Sequence, residues 1–519
     1  MRKAPAFLCA SDTFRRLTTY SDDEGQPSAH AFFGVRILSD GCCNRGGDPE
    51  RKKDYAQRTE TEILHDSRRF GHKGNAGKRR AGFGSDPGKR GQCGRGGDPP
   101  RMRLCGRSLL RSCSSRPPDP AGRRVLSSRG RRSGVIYLDN AATSFPKPRE
   151  VIRETERCLR RYGGNPGRGS HRLALAAAEK IYECRAEAAE LFGSSCPENV
   201  IFTLNTTAAL NTVIKGLLKK GDHVLISDLE HNAVWRPVSR LAEEGRVTFD
   251  VFPSFATDPE RSPEQICAAI EALIRPETKL LVCVHASNIC SAVMPIAQIG
   301  ALCRRHGVFF VVDAAQSAGH LPIRMEQMQI DALCVPGHKG LLGPQGSGIL
   351  LLRDGILPET LIEGGSGTYS LEARMPEEIP ERYEAGTLPT PAIAGLCEGI
   401  RKIRRVGLER IAAHERRLNE RLAGLLSEMQ DVRVYLPHLS GSVLLFSADR
   451  MPADRLGREL DARGFCVRAG FHCAALAHRT LGTPASGAVR VSPGLDTTEG
   501  AITAFAAALR EILARGTEE

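Results

Sequence analysis

The sequence predicts an α/β protein with a large domain on a mainly parallel sheet, a smaller C-terminal α+β domain, and a disordered N-terminal extension. Three observations predict it. Beyond residue 134, short apolar runs alternate with stretches of helical periodicity. Those runs are continuous rather than alternating, as in strands buried on both faces. Before residue 135, hydrophobic periodicity is hard to find.

The extension, residues 1–134, is rich in Arg, Gly, Ser and Pro and repeats a phrase, RGGDPE at 45–50 and RGGDPP at 95–100. Such a composition buries too little apolar surface to offset chain entropy, which makes disorder the default. Of the chain's 73 Lys and Arg and 60 Asp and Glu, the extension holds 29 and 14, a net of +15. The remainder holds 44 and 46, a net of −2. The overall charge of +13 therefore gives the folded part no electrostatic footprint for nucleic acid.

The large domain, 135–390, follows. Helical stretches are expected at 148–161 and 172–192. The strands are VIFTL, HVLIS, KLLVCVHA, VFFVVDAA, ALCVP and GILLLR, several of them separated by helices. The small domain, 391–519, reads as long helices around 391–428, strands near 432–436, 442–448 and 488–492, and a final helix near 498–514.

Other function classes find little support. No stretch approaches the ~18 consecutive apolar residues of a membrane span. The Arg-rich start MRKAPAFLCASDTFRRL resembles a transit peptide, but the SDDEG that follows is wrong for one. The chain has 17 cysteines, many inside apolar runs, which reads as buried thiols in a reducing, cytoplasmic compartment. No Cys/His cluster has zinc spacing, so no metal is expected.

Several residues carry chemistry. Lys339 lies in the Gly-rich loop PGHKGLLGP just past the strand ALCVP, where open α/β sheets bind ligands. A lysine there condenses with an aldehyde if desolvation lowers its pKa. Asp313 ends the strand VFFVVD. It suits capping the next helix, or standing beside the pyridinium nitrogen of pyridoxal phosphate. Gln316 lies within reach of that ring's phenolic oxygen. Thr206 and Thr207 open a helix after VIFTL, which fits a phosphate and plain N-capping equally. His231 suits stacking on a flat ring, or a structural role. Cys473 in RAGFHCA reads as a partly ionised thiol beside a His and near an Arg, or as one more buried thiol.

Taken in order, YLDNAATSFPKP, TTAALN, EHNA, ASNIC, VDAAQS, GHKGLLGPQG, YEAGT and RAGFHCA resemble the cysteine desulfurase branch of the class V aminotransferases, over about three quarters of the chain. The resemblance implies the fold type I architecture, pyridoxal 5'-phosphate as cofactor, L-cysteine as substrate and a homodimer. It implies Lys339 as the Schiff-base lysine, Asp313 at the pyridinium, Gln316 at the phenolic oxygen and His231 stacked on the ring. Asn288 would sit by the cofactor oxygen and the substrate carboxylate. Thr206, Thr207 and His338 would stand at the phosphate, and Thr387 would reach that of the neighbouring subunit. Cys473 would take the sulfur as a persulfide, as in group II desulfurases. Arg490 and Arg468 would clamp the substrate carboxylate. His171 would lie near the substrate, with no assigned role.

One position departs from the family pattern. A Ser or Thr is usual two residues before His338, and here Pro336 offers neither hydroxyl nor N–H. Weaker cofactor retention is expected. The family often begins near Val135, and valine's GTG codon can serve as a bacterial start. Residues 1–134 are therefore expected to be an upstream extension of the reading frame, with no tryptic peptides from 20–120 in the native protein. Selenocysteine lyase is the nearest rival reading, and nucleic-acid binding through the basic extension a remote one. The acceptor of the sulfur is open among iron–sulfur cluster assembly, thiolated tRNA and cofactor synthesis.

Overall fold

The computed structural model describes residues 134–515 except 168, 257 and 436–440. The expected disorder of 1–134 falls almost wholly outside the described residues. The chain enters through β1 (Ile136–Tyr137), then α1 (Arg149–Arg161) and α2 (Arg172–Phe192). All six predicted apolar runs become strands of one sheet. These are β2 (Val200–Thr203), β3 (His223–Ser227), β5 (Thr278–Val284), β6 (Phe309–Asp313), β7 (Ala332–Pro336) and β8 (Gly348–Leu352). With β4 at Thr248–Phe252, the sheet order is β2-β8-β7-β6-β5-β3-β4. The ladders from β4 across to β7 are parallel, and β8 alone runs against both of its neighbours.

The continuity of the apolar runs has a direct cause. Val224, Ile226, Leu280 and Val282 enter the core on one face. Leu225, Leu281 and Cys283, which alternate with them, enter the core on the other. The seventh strand, β4 (Thr248–Phe252), has no counterpart among the predicted runs. It lies at the sheet edge and is half exposed, so TFDVF lacks the apolar continuity of its neighbours.

Helices α3 (Thr206–Leu217), α4 (Asn232–Glu243), α5 (Pro263–Glu271) and α6 (Ile296–His306) connect the parallel strands. Two start at the pocket described below. Asn205 caps α3 by accepting from Ala208 N at 3.0 Å. His231 caps α4 through Nδ1, accepting from Ala233 N at 3.0 Å.

The expected long helices around 391–428 are α7 (Thr390–Val406) and α8 (Leu408–Ser427), meeting at Gly407 with φ 92°. Ile393, Leu396 and Ile400 of α7 pack into the core of the large sheet, whereas Leu418 and Leu422 of α8 join a separate core. That third core lies against a four-stranded sheet of order β12-β13-β10-β9. Its strands are β9 (Val432–Tyr435), β10 (Leu444–Ala448), β12 (Arg468–Gly470) and β13 (Ala488–Val491). Helices α9 (Ala453–Ala462), α10 (Ala475–Thr480) and α11 (Glu499–Arg515) complete this part. β1 pairs in parallel with β11 (Phe465–Cys466), and Leu138 is buried in the same third core. The segment 136–140 thus ties the beginning of the described chain to its C-terminal sheet.

Candidate active site

The parallel strands β3, β5, β6 and β7 end at one edge, and the loops beyond them converge. Thr206, Thr207, His231, Asn288, Asp313, Gln316, Pro336, His338 and Lys339 line one pocket there. Strand ends spread over more than a hundred residues of sequence become neighbours because parallel strands all finish on the same side of the sheet.

Lys339 is largely removed from water. Burial, with the nearby Arg490 second, pulls its ammonium down to about 8, against a partial restoring pull from Asp313. Asp313 is fully buried, and burial raises its carboxyl to about 6. The bond from Ala315 N to Oδ1, 2.9 Å, and the charge of Lys339 act against that rise. His231 is pushed down to about 4 by burial and then by Lys339, so its ring is neutral. Burial likewise lowers His338 to about 4.

The segment after β1 forms one wall. Gln316 Nε2 donates to Ala141 O at 2.9 Å, leaving its second amide hydrogen for the pocket. The carbonyl of His338, just before Lys339, accepts from Lys147 Nζ at 2.7 Å, Thr143 Oγ1 at 3.0 Å and Ser144 N at 3.2 Å. Sequence reasoning matched TSFPKP as a motif but gave Thr143, Ser144 and Lys147 no task. Their task is to fix the lysine loop. Glu230 is a second omission. It is fully buried behind Asp313, accepts from Ser227 Oγ at 2.6 Å and Val284 N at 2.7 Å, and burial raises it to about 8.

Cys473 stands at the mouth. Among the described cysteines it alone is exposed. It shares a second concavity with Thr207 and His231, which also line the pocket. His472 and Cys473 both have left-handed backbone, φ 51° and 55°, a costly conformation for non-glycine residues. Several hydrogen bonds impose it. Asn288 Nδ2 donates to His472 O at 2.9 Å, and Asn232 N donates to Cys473 O at 2.8 Å.

The ring of His472 adds two more. Its Nε2 lies 3.1 Å from Arg468 O, and its Nδ1 lies 3.1 Å from His478 Nε2. A carbonyl only accepts, so His472 Nε2 carries the hydrogen and Nδ1 accepts from His478. His478 Nδ1 then accepts from Thr483 Oγ1 at 2.8 Å. Burial lowers His472 to about 3 and His478 to about 4, so both rings are neutral and the direction of the chain is fixed. His478 was invisible as a partner because it lies six residues on, around the turn of α10.

Arg490 is buried, and its NH1 and NH2 are engaged with Asn288 O at 3.0 Å and Asp139 Oδ1 at 2.6 Å. Its Nε is buried without a partner. Asp139 therefore stands where the sequence suggested only a substrate carboxylate, and Arg490 keeps three of its five N–H groups for an anion. Arg468 lies directly opposite Arg490 in the β12–β13 ladder. Like charges facing across strands are destabilising unless an anion joins them.

Two expected residues lie elsewhere in the chain's own fold. His171 is exposed and caps α2, its Nδ1 accepting from Ala174 N at 3.3 Å. Thr387 lines a different concavity with Asn165, Gly167 and Glu384 and accepts from Asn165 Nδ2 at 3.4 Å.

The pocket fits pyridoxal phosphate. Thr206 Oγ1, Asn288 Oδ1 and His338 Nδ1 are buried there without partners, an arrangement that costs free energy unless a ligand satisfies it. The N-terminus of α3 presents its backbone N–H groups to the same space, as an anion requires.

The aminotransferase class-V profile matches residues 136–505. The chain belongs to the class-V aminotransferase family. This class-V chain is similar to a probable cysteine desulfurase of Methanothermobacter thermautotrophicus, 33% identical over 392 residues, covering 73% of this chain and 95% of the relative. It is similar also to a probable cysteine desulfurase of Halobacterium salinarum, 33% identical over 73% of this chain and 91% of the relative. The apo structure of cysteine desulfurase from Thermococcus onnurineus NA1 matches with a TM-score of 0.66 at 30% identity, over 73% of this chain and 94% of that one. The family's enzymes depend on pyridoxal phosphate, and this chain is one of them.

Proposed function

We infer that the chain is a cysteine desulfurase, which takes sulfur from L-cysteine onto Cys473 and releases L-alanine. The observation that carries this reading is the placement of Cys473. Of the described cysteines it is the exposed one, and it stands on a strained, heavily tethered loop at the mouth of the lysine pocket. A buried thiol would serve packing, whereas an exposed thiol held in costly geometry serves chemistry.

The residues divide the work. Thr206, Thr207, His338 and the start of α3 would hold the phosphate, His231 the ring, and Asp313 the pyridinium nitrogen. When bound, pyridoxal phosphate supplies the electron sink that acidifies the Cα–H of an attached amino acid. Lys339, lowered to about 8, is matched to taking that proton near neutral pH. Arg490 and Arg468 bind the substrate carboxylate and orient its thiol toward Cys473. The Cys473 sulfur bonds to the substrate sulfur, the substrate Cβ–S bond breaks, and the carbon skeleton takes a proton and leaves as alanine. Cys473 is left as a persulfide.

A homodimer completes the site in this reading. Thr387 is exposed on a loop away from its own pocket, which supports a role at the phosphate of a second copy. Strongly exposed apolar side chains accompany it, Ile362, Tyr369 and Leu371 on the same loop region and Leu204 beside Thr206. The buried free thiols fit a reducing cytoplasm.

The test is direct. The full-length protein with pyridoxal phosphate, L-cysteine and dithiothreitol yields alanine and sulfide in equal amounts, and Cys473→Ala yields neither. A folded, cofactor-loaded protein that makes no alanine refutes the reading, as does full activity in Cys473→Ala.

A further inference from the structure

The concavity at Cys473 adjoins the cofactor pocket, shares Thr207, His231 and Ala233 with it, and extends beyond it. It runs outward between α3 and α4, beginning at Thr207 and His231. Its rim carries Lys215 from α3, Arg236 and Arg240 from α4, and Arg246 just beyond α4, all exposed. The one acidic residue lining it is Glu244, which accepts from Arg240 Nε at 2.6 Å. The groove therefore carries four cations against one carboxylate, in a chain whose residues beyond 134 sum to −2. Scattered surface cations are ordinary. Four of them on the walls of one groove, with an exposed thiol at its inner end, are a directed field. The floor is apolar, formed by the buried Ala233, Pro237 and Leu241.

We propose that this groove docks the protein that accepts sulfur from Cys473, a partner presenting a reactive thiol among acidic side chains. The proposal rests on the desulfurase reading. An apolar floor inside a charged rim is the anatomy of a protein interface. No Phe, Tyr or Trp lines the groove to stack a base, which disfavours single-stranded nucleic acid. The transfer balances without an added oxidant. The acceptor thiolate bonds to the outer sulfur of the Cys473 persulfide, and the existing S–S bond breaks. Cys473 leaves as the thiolate, and the acceptor becomes the persulfide. Cations along the approach favour that nucleophile twice, by steering an acidic partner inward and by stabilising its thiolate.

The experiment uses the full-length, cofactor-loaded enzyme charged with labelled L-cysteine. Three short peptides of equal length, each with one Cys, serve as acceptors, flanked by Asp/Glu, by Ser/Gly or by Lys. The acidic peptide is expected to take labelled sulfur roughly tenfold faster than the neutral one at low salt, and the Lys peptide slowest. The advantage disappears at high salt. In Lys215→Glu/Arg246→Glu the order reverses, while alanine formation driven by dithiothreitol is unchanged. Transfer rates that ignore peptide charge, or a double variant that keeps the acidic preference, overturn the proposal. So does a short RNA that binds the groove more tightly than the acidic peptide and loses binding in the double variant. Failure to make alanine with dithiothreitol removes the desulfurase reading and the proposal with it, whereas alanine without charge ranking removes the proposal alone.

Discussion

Replacing His478 with Phe isolates the tether that sequence reasoning did not foresee. The rings of His472 and His478 stack with centroids 5.3 Å apart and planes 12° from parallel, which a phenyl ring can imitate. What Phe cannot supply is the Nε2 hydrogen that satisfies His472 Nδ1 at 3.1 Å. Leaving that buried acceptor unsatisfied costs about 1–3 kcal/mol. The left-handed backbones of His472 and Cys473 already cost about 1–3 kcal/mol each, so the loop has little margin in its active shape. A loss near 1.4 kcal/mol lowers the ratio of that shape to relaxed ones about tenfold, which lowers its population about tenfold where, with that little margin, the relaxed shapes already compete. The expected result is a roughly tenfold lower kcat for alanine formation, with an unchanged KM for cysteine and an unchanged cofactor absorbance. His478→Gln keeps an amide donor and is expected to restore most of the rate. Wild-type kcat in His478→Phe, or a Gln variant as slow as Phe, would falsify the positioning role.

Three further outcomes are expected. Cofactor uptake by the apoenzyme requires neutral Lys339. With a pKa lowered to about 8, the neutral fraction is about a tenth at pH 7 and rises toward a plateau above pH 8. Stopped-flow absorbance should show the uptake rate climbing through that window, and a rate still rising tenfold per pH unit at pH 9–10 contradicts it. Pro336→Thr adds a hydroxyl at the phosphate end of the pocket and is expected to tighten cofactor binding by about tenfold, measured by dialysis and absorbance. No tightening assigns the Pro336 departure no role in retention. Asp313→Asn keeps the shape and removes the charge. Alanine formation is expected to fall roughly a hundredfold while the cofactor still binds, and retention of full activity contradicts the pyridinium role.

Much of this protein was legible in its residues. The six continuous apolar runs became strands because each must bury both faces, and that demand is written into composition. Asp313, Lys339, Thr206 and Thr207 could be named from local order, since Asp313 ends β6, Lys339 follows β7 and the threonines open α3, whereas Asn288 and His338 came only from the family resemblance. The edge strand β4 was not legible, since half-exposed TFDVF answers to no such demand. The long helices around 391–428 were legible from their periodicity, but that periodicity does not mark where one ends, and packing sets the break at Gly407.

Cys473 and Lys339 show where the boundary lies. The sequence determined that a lysine would sit in a Gly-rich loop just past a buried strand and that a cysteine stood in a Gly-flanked one, since both follow from local order along the chain. It did not determine that Cys473 is exposed while the other described cysteines are not, nor that His478, Asn232 and Asn288 hold its loop in left-handed geometry. It did not show that Asp139, 351 residues away, binds Arg490. Those contacts join segments that only packing brings together, and neither exposure nor partnership has a period or a spacing to read. Local chemistry was decided along the chain, and the environment that tunes it was decided by the fold.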